Sequence, residues 1–171
     1  LSVHAHEQIG CASCHGGDPA QADKEKSHAG KVKKVPRTEI PALCAKCHSD
    51  VRMMNPYGIP TDQFAQYQTS QHGQKLAEGN TEVATCTDCH STHGIRKVKD
   101  PESPVYPKNV PKTCARCHAD TELMDKHGLK ATAPKDYGAS GHAKLLLEKG
   151  DLSAPTCITC HGNHGAVPPG F

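Results

Sequence analysis

The sequence predicts a mainly α fold with much irregular coil: short helices and extended loops wrapped around bulky groups that the polypeptide does not itself supply, with negligible β-sheet. Three observations lead to it. Hydrophobic residues are 35% of the 171, aromatics 4%, and Trp is absent, too little large apolar side-chain mass for an ordinary core. All ten cysteines fall in copies of one five-residue motif. The chain also repeats itself at a period of about seventy residues, each unit reading as two helices and their connections.

The motif is Cys-x-x-Cys-His. Its five copies hold Cys11, Cys14 and His15; Cys44, Cys47 and His48; Cys86, Cys89 and His90; Cys114, Cys117 and His118; and Cys157, Cys160 and His161. This is the attachment signature of c-type haem: two thiols add to the haem vinyl groups and the adjacent His becomes the proximal iron ligand. Structural zinc takes four ligands, so five units pair off badly, and zinc has no need of His after every second Cys. A thioredoxin-like site needs one reactive pair near a βαβ pattern, which is not visible. Disulfides would suit ten cysteines in a secreted chain but would leave five repeated histidines unexplained. Five haems in this length is about one per thirty-four residues, so the expected core is five stacked porphyrins with the polypeptide as wrapping. The apoprotein is expected to be largely unfolded, because the cofactor stabilises the native state by linkage.

The elements follow from the repeat. Pro41 to Asp50 returns as Pro111 to Asp120, Met54 as Met124, Tyr67-Gln-Thr-Ser70-Gln-His72 as Tyr137-Gly-Ala-Ser140-Gly-His142, and Cys86 to Gly94 as Cys157 to Gly165. Residues 1–35 form a leader module with haem 1, residues 36–99 a unit with haems 2 and 3, and residues 100–171 a unit with haems 4 and 5, all within one continuous haem-packed domain. Thr38 to Met54 reads as one helix. A second starts near Thr61 or Asp62, both good N-cap types, runs through His72 and stops at Gly79. Their counterparts are Lys112 to Lys126 and Pro134 to Lys149. Between the units, Asp100 to Pro111 carries four prolines, which exclude a helix interior and favour an extended strap.

Thirteen histidines are present, and the attachment motifs take five. A lone His is ordinarily just a surface or core residue, but here repetition argues otherwise. His72 matches His142, His93 matches His164, and His28 follows a Ser in the leader. These five are the expected distal ligands, giving low-spin, six-coordinate irons suited to electron transfer. His4 and His6 are surplus to the haem count and lie near the chain end, where segments are mobile unless tied down. Either could ligate the first haem in place of His28, lie on the surface, or reach an iron of a neighbouring subunit. His127 has Tyr57 as its counterpart and is not expected to ligate. Met54 and Met124 could ligate haem iron but read as gap-fillers packed on a porphyrin edge, and Tyr67 and Tyr137 as hydrogen-bonding or apolar cover near the histidines.

Formal net charge is +2 with His neutral. Two propionates per haem would make the holoprotein net negative, so the short basic runs Lys31, Lys33, Lys34 and Arg96, Lys97, Lys99 read as solvated surface or propionate partners, not as a nucleic-acid site. No apolar stretch approaches transmembrane length. Leu1 in place of Met is read as a mature chain after signal-peptide removal.

The Tyr-x-x-Ser-x-His blocks, the Cys-x-x-Cys-His-x-x-His-Gly blocks and the Cys-x-x-Cys-His-Gly-Gly-Asp-Pro block from Cys11 to Pro19 resemble the multihaem c-type cytochromes of bacterial respiration. The resemblance implies a periplasmic or extracellular electron carrier of a prokaryote, active in anaerobic respiration, that exchanges electrons with other redox proteins of a respiratory chain. It also implies two alternatives. One is a protomer of an extracellular cytochrome filament, polymerised head to tail through a donated His. The other, less favoured, is a multihaem reductase or its electron-donor subunit: catalysis at haem needs an exchangeable coordination position, whereas histidines here are plentiful.

Overall fold

The computed structural model describes residues 2–30 and 34–168; Lys31 and Lys33 of the first basic run lie outside them. It is helical without strands among these residues. The chain opens with α1 (Val3–His6), α2 (Cys11–His15) and α3 (Lys24–Ser27), continues through α4 (Ile40–His48) and α5 (Val51–Met54), and then α6 (Gln63–Thr69), α7 (Gln71–Ala77) and α8 (Cys86–His90). The second unit has α9 (Val110–His118), α10 (Thr121–Lys126), α11 (Ala133–Ala139), α12 (Gly141–Ala143) with a π-helical continuation over Lys144–Glu148, and α13 (Cys157–His161).

Each long helix expected from the sequence is broken in two, and the breaks have a common cause. Asp50 and Asp120 adopt extended torsions and accept from the backbone N–H of Arg52 and Met53, and of Leu123, respectively. Ser70 and Ser140, with ψ near 160°, accept from Gly73 N–H and Ala143 N–H. Such side chains satisfy the first free N–H groups of a new helix better than they serve a helix interior. The Ser breaks fall two residues before His72 and His142, so each of these histidines sits on the first turn of a capped helix.

The expected strap is also different. Residues 100–109 fold as three successive four-residue turns that share their end residues: Ser103 N–H donates to Asp100 C=O, Tyr106 N–H to Ser103 C=O, and Asn109 N–H to Tyr106 C=O. Pro101, Pro104 and Pro107 each fall second in a turn, where their fixed φ is favoured, while Asp100 and Ser103 take first positions that suit them. Asn109 Nδ2 ties the run together by donating to Pro101 and Ser103 carbonyls. Prolines spaced by three therefore make a compact spacer, not an extended one.

The buried apolar side chains among the described residues are Pro41, Met54, Leu76, Val110, Met124, Ala143, Leu146 and Ala154. Met54 with Met124, and Leu76 with Leu146, are repeat partners. Both methionines lie inside the polypeptide's own packing.

Candidate functional site

The attachment motifs form two structural classes. Those of His15, His90 and His161 are isolated five-residue helices, each followed by a residue at positive φ: Gly16 at 72°, Ser91 at 71° and Gly162 at 78°. Those of His48 and His118 end nine-residue helices, α4 and α9, with Pro in the first turn and an Asp-capped helix after. The leader motif therefore belongs with the motifs of α8 and α13.

Four imidazole pairs stand across from one another. Ring centroids are 6.2 Å apart for His15 and His93, 6.0 Å for His4 and His48, 6.1 Å for His90 and His164, and 6.1 Å for His72 and His118. An iron about 2 Å from a nitrogen of each ring separates the centroids by roughly 6 Å, so these residues fit a haem iron between each pair. Burial pushes His48, His72, His90, His118 and His164 below the usual imidazole range, with the facing or neighbouring imidazole adding to the effect in the first four. The rings are thus neutral, the form that binds metal.

Of the ten expected proximal and distal histidines, the structure brings His15, His48, His72, His90, His93, His118 and His164 into such pairs. His161 makes a 2.7 Å contact from Nδ1 to Val167 O, which leaves Nε2 for a metal, but no imidazole faces it among the described residues. His142 is exposed and has no such partner either. His28 turns Nδ1 to Lys24 O at 2.7 Å and Ser27 Oγ at 3.0 Å. His6 is in no ring pair, and His127 lies 3.8 Å from Glu82.

His4 faces His48 within its own chain, and the N-terminal arm is tied down. Val3 N–H donates to Ile95 C=O at 2.8 Å, and Tyr57 OH to Glu7 Oε2 at 2.8 Å. A signal for His4 was present in the sequence: Ser2-Val3-His4 is a third copy of Ser70-Gln71-His72 and Ser140-Gly141-His142, and Ser2 Oγ caps its helix too. Tyr67 OH donates to Ala84 C=O at 2.8 Å and Tyr137 OH to Pro155 C=O at 3.0 Å. Each tyrosine therefore fastens its Ser-x-His segment to the next attachment motif. Burial above all pushes the Tyr67 hydroxyl up to about 12, so it remains a donor.

The cysteines report which motifs are neighbours. Cys14 lies near Cys44 and Cys47, Cys44 beside Cys86, Cys89 near Cys117, and Cys114 beside Cys157. The five motifs therefore follow one another in space in their sequence order. Arg37 and Arg116 brace the middle of the row. Arg37 Nη2 donates to Val83 C=O and to Asp88 Oδ2, both at 2.8 Å, and Arg116 donates to Asp88 C=O.

A family model described as Cytochrome c3 matches residues 3–119. The "Multiheme cytochrome MtrA" of Shewanella baltica (strain OS185) is 27% identical over 120 residues, 70% of this chain. The chain spans only 27% of that relative's length. No solved structure matches.

Proposed function

Because the chain belongs to the cytochrome c3 family, whose haem c groups transfer electrons, we propose that it conducts electrons along a single row of five covalently held haems. The observation that carries this reading is the set of four facing imidazole pairs. By it, His93 is the distal ligand opposite His15, His4 opposite His48, His164 opposite His90, and His72 opposite His118. The haem supplies the redox change; the chain supplies spacing, neutral imidazoles and a low dielectric. Two strong axial nitrogens leave little coordination change on reduction, which favours transfer over catalysis at these four centres.

The contact order of the motifs supports a path that enters at one end of the row and leaves at the other, with other redox proteins of a respiratory chain as donor and acceptor. No helix among the described residues is long and apolar enough to cross a membrane. A periplasmic or extracellular place fits haem attachment of this type, and the unit boundaries at about residues 35 and 99 are part of the same reading. A filament joined through His4 loses its motive, since His4 has a partner within its own chain.

The test is ligand exchange in the mature holoprotein. Intact mass should exceed that of the polypeptide by five haems. His72→Met should leave all five attached, add a Met–His signature to the near-infrared spectrum and raise the potential of a single centre. Unchanged spectra and an unchanged redox titration would remove His72 from the iron.

A further inference from the structure

We propose that the charges of Arg37, Asp88 and Arg116 set the potentials of the haems on His90 and His118, so that the middle of the row holds an electron more tightly than the attachment motifs alone would make it. This rests on the pairing and the row proposed above and deepens them.

Asp88 stands directly before the thioether Cys89 in the third motif, and Arg116 holds the same place before Cys117 in the fourth. Cys89 and Cys117 are neighbours, and Arg116 donates to the Asp88 carbonyl, so the two charges meet where the third and fourth motifs touch. Arg37 belongs to no motif. It reaches the Asp88 side chain across 51 residues of sequence, with Nη2 on Oδ2 at 2.8 Å and Nη1 on Oδ1 at 3.4 Å. Its Nε is buried with no partner among the described residues. Part of this guanidinium has therefore given up water, and its charge is screened less than that of a surface arginine. The field of Asp88 extends to His72, which faces His118. Seen from a distance Arg37 and Asp88 cancel, and Arg116 is the surplus. Reduction lowers the charge on an iron by one, so a net positive neighbour stabilises the reduced form.

The repeat shows that the architecture does not require this ion pair. In the second unit Cys114 lies beside Cys157 as Cys44 lies beside Cys86 in the first, yet the place of Arg37 is taken by Pro107 and that of Asp88 by Thr159. Thr159 Oγ1 accepts from Thr156 N–H at 3.0 Å, just as Asp88 Oδ2 accepts from Thr85 N–H at 2.7 Å. An uncharged hydroxyl thus caps α13 where a carboxylate caps α8. A cap alone gives no reason for an acid at residue 88 or for a guanidinium brought to it from residue 37. What the third motif has beyond the fifth is charge, set next to a thioether cysteine.

The test is potentiometric titration of the haem-loaded protein with variants that change charge and keep a hydrogen-bonding side chain. Asp88→Asn should shift part of the titration upward by at least about threefold in the reduction equilibrium, about 30 mV at about 59 mV per tenfold for one electron. Arg37→Gln and Arg116→Gln should shift it downward by as much. The double variant of Asp88→Asn with Arg37→Gln should titrate like the wild type, since one charge of each sign has gone. A purely bracing role gives a different pattern: both halves of the ion pair would move the titration the same way, and the double variant would do no better than the worse single one. Shifts of one sign for Asp88→Asn and Arg37→Gln, or smaller shifts in all three single variants, overturn the proposal. If a change at residue 37 or 88 costs the protein its haem, Arg116→Gln decides alone, since its side chain is exposed: a downward shift supports the proposal, and an unchanged or upward one refutes it. Combined with His72→Met, each variant should move the centre that carries the Met–His signature in the same direction as above. Absence of that signature fails the pairing beneath, while the signs in the whole titration still decide the role of the charges.

Discussion

Ser91 holds a torsion that its repeat partner assigns to glycine. Its φ of 71° and ψ of 171° match Gly162, and Gly16 takes the same step after His15. For a residue with a Cβ this region costs about 1–3 kcal/mol, while glycine gives back roughly 0.5–1 kcal/mol through the freer unfolded chain. Ser91→Gly is therefore expected to stabilise the holoprotein by about 1 kcal/mol, seen as a higher denaturant midpoint with an unchanged haem spectrum. At this scale the sequence was informative about attachment, since ten cysteines and five histidines sit in one motif. It also singled out His72, His93 and His164 by repetition, and each of these rings faces a motif His in the structure. It could not say which His meets which motif. That depends on how α1 and the segment after His93 cross the chain, and the Val3–Ile95 hydrogen bond that sets this crossing spans about ninety residues with no local signature.

Caps, more than propensity, decide the helices. Asp62 and Gly79 were readable as the start and end of a helical stretch, and both sit there in the structure. The internal breaks at Asp50, Ser70, Asp120 and Ser140 were not, because a cap residue within an otherwise helical run looks like a polar surface position until its side chain turns back on the N–H groups. Replacing Asp50 or Asp120 with Ala should cost about 1 kcal/mol each, measurable by denaturant unfolding, with the distal pairs still formed. A carboxylate does a similar job at α8. Burial alone would push Asp88 up, but hydrogen bonds from Arg37, from Thr85 N–H and from Thr85 Oγ1 outweigh it and hold the carboxyl below its usual 3.8. A depressed carboxyl contributes stability that is present above its unfolded value and lost as pH falls through its folded value. The holoprotein should therefore weaken below about pH 4, and Asp88→Asn should flatten that part of the pH profile. An equal acid dependence in the Asn variant would mean that other carboxylates control it. The partner motif has Thr159 in this place, which accepts from Thr156 N–H at 3.0 Å but from no counterpart of Arg37, whose repeat position is Pro107, so the effect belongs to the middle of the row.

The whole molecule is held together from between its elements. Its fold class followed from a shortage: with 4% aromatics, a chain of this length cannot bury enough apolar surface to offset the ordering of its backbone, which costs about 1–2 kcal/mol per residue. The structure bears this out in kind. Apart from Met54, Leu76, Val110, Met124 and Leu146, the buried apolar side chains among the described residues are two alanines and Pro41, and burying a Leu- or Met-sized side chain stabilises by only about 1.5–3 kcal/mol. The helices are mostly of four to nine residues, well under the length at which a helix persists alone. What joins them is the set of motifs and facing imidazoles, which require something to clasp. The chain made with its cysteines blocked, so that no haem attaches, should accordingly lack a cooperative thermal transition and show weak far-ultraviolet helicity. The haem-loaded protein should melt cooperatively and keep its helix signal. An apo chain that unfolds in a sharp transition would show that the polypeptide core, small as it is, suffices, and that the haems are guests of the fold and not its centre.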